Sequence, residues 1–552
     1  MRDNSSESPA AADSCRRKLS PTAGPIVGNV IGLLSVLLFA IAAARMVVLC
    51  YGQLLEPYDL VYESPNLRTI EMLAAGRPIY SAEVYDAIPF VFTMYPPLYH
   101  AVVAALPTAS MNPYFTGRLV GCIAMLGAAA SLALVGGRTG LPSALLCIAC
   151  LWLFHPLTHL TAFLKPDGLG LFLSTAAVWV AAKWTGRGAA VASAILAALA
   201  IWAKHSCLAA ALACLCVFLI RGGVARWWFV AAAGLLALLS WILAATAWGG
   251  GLIWCLRASV SLPVFREQAV AVWLAAARQP LFVVLIAATH AAVLLYVWRA
   301  GVRGWHTPYP WYLLWADAVM AVGLGKPGSS VNYFFEPLLA GGMCFVAACR
   351  CLPAPVEWLL SVALLAAGGW ESMTGNARDY DLRLLGCPHA DRTEQMAWLR
   401  GQHAAAEIRR QTLVAATNPS PRLLNLCNAR FGHDLPGTIS LNDPFLYGTL
   451  YVVGRLAPES LIRCIDTAAF DAVLLPPEHD PLRQRSSPAL TALYHAVHRA
   501  YVPHARAPGL AVWVHRAGGG RSDAQGGGAA KPSAAESRDG THAPERIGAT
   551  RP

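Results

Sequence analysis

The sequence predicts an all-α polytopic membrane bundle followed by a small C-terminal extracytoplasmic α/β domain. Of the 552 residues, 56% are hydrophobic and only 13% are charged, about half the charged fraction usual for a soluble domain. Apolar runs long enough to cross the hydrocarbon as helices recur from residue 24 to residue 371. Beyond them, short apolar segments alternate with polar, helix-like ones, which favours a separate α/β unit.

The N-terminal segment 1–23 carries basic residues ahead of a long apolar stretch. That stretch exceeds the core of a cleavable signal peptide, so we expect a cytoplasmic segment followed by an uncleaved first span. The transmembrane domain, 24–371, is expected to cross the membrane about eleven times. The predicted spans are 24–50, 114–136, 141–157, 167–183, 188–203, 205–220, 227–248, 280–298, 308–324, 334–350 and 354–371.

The net charge of +11 does not indicate nucleic acid as a partner. Most basic residues of the bundle fall in short connections that face the cytoplasm under the positive-inside rule. An odd number of crossings from a cytoplasmic N-terminus then places the C-terminal region outside. We therefore expect a multi-pass protein of the inner, cytoplasmic membrane. Most of the 15 cysteines lie inside predicted spans, where they behave as small apolar residues.

The first outer loop, 51–113, is long and carries two acidic candidates. NLRTIEMLAAG has helical spacing and LYHAVVAAL is apolar but too short to span, so one or two helices on the membrane surface are predicted. Asp59 and Glu63 lie four positions apart, and a helix would present both carboxylates on one face. Two carboxylates beside a reacting hydroxyl can divide proton acceptance and orientation between them. The alternative is a solvated loop with incidental acids.

Asp167, in the stretch LKPDGLGLF, is the only acidic residue between Asp86 and Glu267. A charge at membrane depth costs about 3 kcal/mol, so it normally lines a polar cavity or has a partner. Asp167 could pair with Lys165, or it could cap the helix that follows. If Asp167 only capped this helix, the presence of Lys165 two positions before it would have no explanation.

Lys204, His205 and Lys326 are positive candidates at the outer ends of apolar helices. They could extend to the lipid headgroups, or they could bind the phosphate of a lipid substrate. In KPGSSVNYFFEP, which begins at Lys326, Asn332 belongs to a hydrogen-bonding loop and Glu336 starts the next span. Asp317 lies well inside a predicted span, where we expect it to serve helix packing.

The region 372–517 alternates helix-like and strand-like segments. RLLNLC, DAVLLP and GLAVWVH are strand candidates, and PESLIRCIDTAA is a helix opened by Pro458. This pattern predicts the extracytoplasmic α/β domain. The tail 518–552 is rich in Gly, Ala, Ser and Pro without apolar periodicity, and is predicted to be disordered.

Several short motifs occur in a familiar order. An acidic motif, DLVYE, precedes LAAGRPIY and YPPLYH in the first outer loop; KPDGLGLFL, AIWAKHSCLAAA and KPGSSVNYFFEP follow at later outer connections. Together they resemble polytopic glycosyltransferases of the GT-C superfamily, and most of all the relatives of the protein O-mannosyltransferase and aminoarabinose transferase family. The resemblance covers residues 24–370 in arrangement. It implies transfer of a sugar from a polyprenyl-phosphate carrier on the outer face of the membrane, usually with inversion.

The resemblance also implies site residues. Asp59 or Glu63 would supply the catalytic carboxylate of the first loop, and Asp167 would be the second acid. DLVYE departs from the common Asp-Glu pair, because three residues separate its acids. A lipid-phosphate leaving group needs cationic stabilisation. The candidate substrate-binding residues are Lys165, Lys204, His205, Lys326, Asn332, Tyr333 and Glu336.

The predicted function is a membrane glycosyltransferase that moves a hexosyl or pentosyl group to a lipid, glycan or protein acceptor. The alternatives are a transporter or flippase of an envelope lipid or glycan, and a non-catalytic scaffold of the same fold. Charges gather on one side of the membrane and no internal repeat is visible, which favours the enzyme. No cofactor is expected; two carboxylates could hold a divalent metal, but no tight acidic cluster demands one.

Overall fold

The computed structural model describes most of the membrane bundle and parts of the C-terminal region. The described residues are 24–55, 63–80, 88, 90–93, 95–106, 112–248, 251–260, 262–326, 329–374, 404–405, 407–414, 421–426, 438–441, 447, 458–475, 488–507 and 510–516. Asp59, the N-terminal segment 1–23 and the tail 518–552 lie outside these ranges.

The first part of the chain is helical, and each predicted span coincides with a helix. The helices are α1 (Gly24–Leu55), α2 (Ser64–Ala74), α3 (Leu98–Ala105), α4 (Phe115–Gly136), α5 (Leu141–Leu153), α6 (His155–Thr161), α7 (Asp167–Lys183), α8 (Arg187–Ala203), α9 (Ala209–Arg221), α10 (Gly223–Trp248), α11 (Gly251–Val260), α12 (Arg266–Ala277), α13 (Pro280–Ala300), α14 (Pro308–Gly323), α15 (Phe335–Cys349) and α16 (Ala354–Thr374). Two 3-10 segments, Gly301–His306 and Val331–Phe334, precede α14 and α15.

Five helices within the described ranges are long and apolar enough to cross a membrane. They are Ile26–Leu55, Phe115–Gly136, Gly223–Trp248, Pro280–His306 and Val331–Cys349. Shorter apolar helices, α5, α8 and α9, accompany them. The polytopic helical bundle is therefore confirmed, and the number of about eleven crossings stays a prediction.

Helix α15 is the centre of the bundle, and each of its residues is buried. It packs against α4, α5, α7, α13 and α14. Its glycines make this possible: a Cβ at Gly341 would lie 2.8 Å from the Thr289 Cβ, and one at Gly342 would lie 2.8 Å from the Cys147 Sγ. Small residues let neighbouring backbones approach closely, which is how helices associate in membranes.

The first outer loop contains the two helices predicted there, α2 and α3. They pack on each other, and Ile70 and Tyr99 form a buried cluster with Tyr114 and Leu164. Gly76 follows α2 with a φ of 66°, a backbone conformation that glycine adopts without strain. This loop is thus folded onto the second outer turn of the bundle.

The C-terminal region forms a five-stranded sheet of order β2-β1-β3-β5-β4. Strand β1 is parallel to β2 and β3, whereas β5 is antiparallel to β3 and β4. The strands are β1 (Arg422–Asn425), β2 (Thr438–Ser440), β3 (Ala472–Leu475), β4 (Tyr501–Ala507) and β5 (Leu510–His515), with helices α17 (Glu459–Asp466) and α18 (Pro488–Ala500).

The strand candidates RLLNLC, DAVLLP and GLAVWVH and the helix after Pro458 are confirmed as secondary structure. Strands β2 and β4 were not predicted. Strand β4 is an edge strand that contains Pro503 and is mostly solvent-accessible, so its sequence lacks an apolar alternation. The sheet region packs on the first outer loop and α11, because Leu424 and Tyr447 share a buried cluster with Phe92 and Ala258.

Candidate functional site

The site is centred on Asp167, the first residue of α7, whose side chain is buried. Lys204, just after α8, donates from Nζ to the Asp167 Oδ1 at 2.5 Å. Asn332 donates from Nδ2 to the same oxygen at 3.1 Å. The other oxygen, Oδ2, is also buried and has no hydrogen-bond partner among the described residues. Asp167 therefore has one occupied oxygen and one available for a ligand.

Lys204, rather than Lys165, is the partner of Asp167. The ammonium of Lys165 instead lies 5.9 Å from the centre of the Phe163 ring, and Asp167 makes no side-chain capping bond. The GLG of the sequence motif explains the contact with Lys204. A Cβ at Gly170 would lie 2.7 Å from the Cys207 Sγ and 3.3 Å from the Lys204 Cβ, so glycine lets α7 approach the turn that carries Lys204.

The third contribution to the site comes from the Val331–Phe334 segment and the start of α15. The Lys204 Nζ lies 5.7 Å from the centre of the Tyr333 ring. Glu336 is buried, and its Oε1 has no hydrogen-bond partner within the described part of the chain. Asp167, Lys204, Asn332, Tyr333 and Glu336 line one small cavity. Residues from three distant connections thus converge.

Glu63 lies in a second buried ion pair, with Arg118 of α4. Arg118 donates from Nε to the Glu63 Oε1 at 2.9 Å and from Nη2 to the Glu63 Oε2. The Leu164 N–H donates to the Glu63 Oε1 at 2.7 Å. Arg118 also donates from Nη1 to the Gln53 carbonyl oxygen at 2.8 Å, so this ion pair joins the first outer loop, α1, α4 and the segment that leads to Asp167.

The backbone of Leu164 is held on both sides by the first outer loop. Glu63 accepts from its N–H, and Asn66 donates from Nδ2 to its carbonyl oxygen at 3.0 Å. Gly117 allows α4 to lie alongside, since a Cβ there would be 2.6 Å from the Leu164 Cγ. Leu164 lies three positions before Asp167, so the contacts of Glu63 position the turn that carries Asp167.

Tyr99 of α3 lies near both ion pairs. Its hydroxyl donates to the Gly117 carbonyl oxygen at 3.0 Å. Burial, and then the negative charges of Glu63 and Asp167, raise the pKa of Tyr99 well above its usual value. The phenol therefore stays neutral, and the two carboxylates belong to neighbouring parts of one polar region.

His205 lies beside Lys204 and differs from it in charge. Burial, and then the positive charges of Lys204 and Lys326, lower the pKa of His205 to about 4. Its imidazole is therefore neutral at pH 7, and it offers a hydrogen-bonding group rather than the positive charge expected from the sequence. Burial also lowers the pKa of Lys326.

An apolar groove of about 840 Å³ lies between α8, α9, α10 and α11, and His205 is one of its lining residues. Small residues such as Ala194, Ala197 and Ala233 form much of its wall, together with Leu215 and Phe229. Arg257 of α11 also lines it. The groove thus combines a long apolar wall with polar side chains next to the Lys204–Asp167 pair.

Sequence reasoning missed Arg118 and Arg257. Arg118 falls inside the predicted span 114–136, so the rule that singled out Asp167 would have found it too. Arg257 is in a connection between spans, where an arginine is common, and only its place in the groove distinguishes it. Asp59 lies outside the described residues. No group of three His, Cys, Asp or Glu side chains that could hold a metal occurs in the portion of the chain described above.

No protein-family model matches this sequence. No curated protein matches it either.

Solved structures do match. The chain resembles ArnT from Cupriavidus metallidurans in the apo state, with a TM-score of 0.55 and 14% identity over 86% of this chain and 97% of that one. It also resembles ArnT from the same organism bound to undecaprenyl phosphate, with a TM-score of 0.56 and 15% identity over the same shares.

These matches show the class of fold, a polytopic membrane bundle. More particularly, the chain has the fold of ArnT from Cupriavidus metallidurans. The family resemblance of the sequence motifs is confirmed at the level of the fold.

Proposed function

We propose that this protein is an integral membrane glycosyltransferase that transfers a monosaccharide from a polyprenyl-phosphate donor to a lipid, glycan or protein acceptor. The reaction would take place on the outer face of the cytoplasmic membrane. One observation carries the proposal: the buried Asp167–Lys204 pair is adjacent along the chain to His205, which lines an apolar groove of the bundle. A donor with a charged head and a hydrocarbon tail matches both parts.

The groove supports a polyprenyl chain as the apolar part of the donor. Its walls are helices of the bundle, and its lining is almost entirely alanine, leucine, isoleucine and aromatic residues. The ArnT structure with undecaprenyl phosphate comes from a protein of the same fold. On this proposal, Arg257 and Lys326 attract the phosphate, and neutral His205 donates or accepts a hydrogen bond beside it.

The proposed reaction forms a bond between the acceptor oxygen and the anomeric carbon and breaks the bond from that carbon to the phosphate oxygen. Polyprenyl phosphate leaves with the bonding electron pair, and cationic side chains stabilise its charge, so it needs no proton. The acceptor hydroxyl gives its proton to a carboxylate. Asp167, with one unpartnered oxygen, orients the sugar or the acceptor, and Lys204 holds it in place.

Between the two first-loop acids, the contacts favour Asp59 as the base. The Glu63 carboxylate accepts hydrogen bonds from a guanidinium and a backbone N–H, so its oxygens are already engaged by the protein rather than by an acceptor hydroxyl. We therefore propose Glu63 as a positioning residue. A solvent-excluded ion pair is costly to break, so Glu63 would stay bound to Arg118 throughout the reaction.

The test uses full-length protein in proteoliposomes with a panel of labelled polyprenyl-phosphate sugars and lipid, glycan and peptide acceptors. Ala197→Trp places a large side chain in the groove, and Ala231→Trp makes the same change at an exposed position of α10. We expect Ala197→Trp to raise KM for the donor about tenfold or more and Ala231→Trp to leave it unchanged.

Two results would reject the proposed function. One is the absence of transfer from each donor in the panel by protein that retains its thermal transition. The other is movement of an intact glycolipid across the bilayer without cleavage of the sugar–phosphate bond, which would identify a flippase.

A further inference from the structure

A polar pair lies on the outside of the bundle, away from the proposed site. His290 of α13 and Asp317 of α14 are joined by a 3.0 Å contact between the His290 Nε2 and the Asp317 Oδ2. The His290 Nδ1 is 2.8 Å from the Ile286 carbonyl oxygen. The two side chains are 38% and 30% exposed, so the pair is accessible from the surface of the bundle.

The pair lies near the middle of the bilayer. Helices α13 and α14 are joined by Gly301–His306, and His290 and Asp317 lie ten and nine residues from the helix ends at that connection. At a rise of about 1.5 Å per residue, both are about 15 Å from it. That is half of a hydrocarbon core about 30 Å thick.

Exposure at this depth is unfavourable. Lipid chains offer no hydrogen bonds, so ionisable groups in membranes almost always face protein or a water-filled cavity. In the described part of the chain, no residue forms a hydrogen bond with the second carboxylate oxygen of Asp317. A protein surface that supplies a polar group at the same depth would remove the cost.

The surface around the pair suits close contact with another protein. Helices α13 and α14 both pack on α15, and His290 and Asp317 join them at the surface of the bundle. Ala287, Ala318 and Ala321 are exposed near the pair. Small residues beside a polar group are the usual composition of helix interfaces in membranes.

We propose that a second copy of this chain covers this surface, in a dimer with its two-fold axis along the membrane normal. Rotation about such an axis leaves each residue at the same depth in the bilayer. It places the left side of one copy's surface opposite the right side of the other's. His290 lies on α13 and Asp317 on α14 at equal depth, so His290 of each copy faces Asp317 of the other. The two polar pairs then lie antiparallel, and the surface is complementary to itself in polarity.

The test measures energy transfer between donor-labelled and acceptor-labelled full-length copies in liposomes, over a range of lipid dilutions. We expect wild-type copies to associate reversibly. His290→Leu/Asp317→Leu, which removes both polar groups, and Ala318→Trp, which blocks close approach, should each weaken association about tenfold. The matched control Ala231→Trp carries the same bulk on α10 and should associate like wild type.

Disulfide formation tests the two-fold arrangement itself. Leu294 and Leu314 are exposed and each lies six residues from the same connection, so Leu294 of one copy should face Leu314 of the other. Leu294→Cys/Leu314→Cys should give an oxidant-dependent dimer, and Leu294→Cys/Leu239→Cys, with one cysteine moved to α10, should not. Replacement of this polar pair by leucine is not expected to unfold the bundle, and a monodisperse elution profile checks this.

Lack of energy transfer between wild-type copies would overturn the proposal, as would equal association of the control and the His290→Leu/Asp317→Leu variant. Stoichiometric purification with a different membrane protein that covers this surface would also overturn it. These readouts do not depend on sugar transfer, so they can fail while the proposed function holds.

Discussion

Two buried carboxylates, Glu63 and Asp167, belong to the same polar region of the protein, but their hydrogen-bond partners differ. Both oxygens of Glu63 accept hydrogen bonds from Arg118, and one of them also accepts from the Leu164 N–H. Asp167 has Lys204 and Asn332 on one oxygen, and its other oxygen has no partner in the described residues. Both oxygens of Glu63 therefore have partners within the protein, whereas only one oxygen of Asp167 has a partner among the described residues.

The comparison teaches that burial alone does not identify a functional acid. Burying a charged carboxylate is unfavourable, and a fold offsets this by supplying hydrogen-bond partners for both carboxylate oxygens. Where it supplies partners for only one, the remaining oxygen is available to a ligand. The small cavity that Asp167 shares with Glu336 and Tyr333 is consistent with such a use.

The largest effect is expected from Asp167→Asn. The amide keeps the size of the side chain but removes the charge that holds Lys204, so we expect sugar transfer to fall roughly 10³-fold. The Lys204 ammonium is then left buried without its counter-ion, so the thermal midpoint should also fall, and rates are compared at a temperature at which both proteins are folded. Initial rates in proteoliposomes, with Glu357→Asn as a control at a distant acid, check the prediction. A variant with full activity would contradict the comparison.

The next largest effect is on stability. Arg118→Leu leaves the Glu63 carboxylate buried without its guanidinium, and we expect the free energy of unfolding to fall by about 3 kcal/mol. In Arg118→Leu/Glu63→Gln the charge is gone, so at least half of the loss should be recovered. Denaturation in detergent measures both. Equal stability of the two variants would show that the unpaired charge is not the cause.

A smaller effect is expected when only the charge of Glu63 is removed. Glu63→Gln keeps a side-chain oxygen that can accept from the Leu164 N–H. We expect kcat to fall about tenfold or less, because the turn bearing Asp167 is held less firmly, while KM for the donor stays unchanged. A loss as large as that of Asp167→Asn, with stability unaltered, would make Glu63 a reacting group and remove the distinction between the two acids.

The smallest effect concerns an exposed pair. In the sheet region Asp471 contacts Arg422, whose hydrogen bond, more than its charge alone, lowers the pKa of Asp471. A lowered pKa stabilises the fold above the ordinary carboxylate pKa of about 4 and the gain disappears as the pH falls below it. Solvent screens this pair, so Asp471→Asn should cost at most about 0.5 kcal/mol at pH 7.

Thermal midpoints of wild type and Asp471→Asn at pH 7 and pH 3.5 measure the contribution of the Asp471–Arg422 pair to stability. Asp466→Asn, at another exposed acid, is measured for comparison. The difference between wild type and Asp471→Asn should shrink at the lower pH. A difference of several kcal/mol would show that exposed pairs matter here as much as buried ones.

Much of the architecture could be predicted from local sequence. Hydropathy located the helices of the bundle, because a helix in lipid must satisfy its own backbone and present apolar side chains. Asp167 and Lys204 could be identified because a charged residue at the end of an apolar span needs a partner or a polar cavity. Strand β4, with Pro503 and an exposed face, carries no comparable local signal.

The contacts of the site could not be predicted in the same way. Lys165 is two residues from Asp167, yet the partner is Lys204, 37 positions away, because Gly170 lets α7 approach the turn after α8. Glu63 and Arg118 are 55 positions apart, and their pairing depends on how the first outer loop folds onto α4.

By itself the sequence determined which segments are helices of a membrane bundle, which segments build a small sheet, and which polar residues are too costly to be incidental. These properties depend on composition and on spacing along the chain. Only the tertiary structure decided which carboxylate keeps an oxygen without a partner in the described residues, which cation pairs with which acid, and that His290 contacts Asp317. Such properties depend on distances between segments far apart in the chain, which helix packing alone sets.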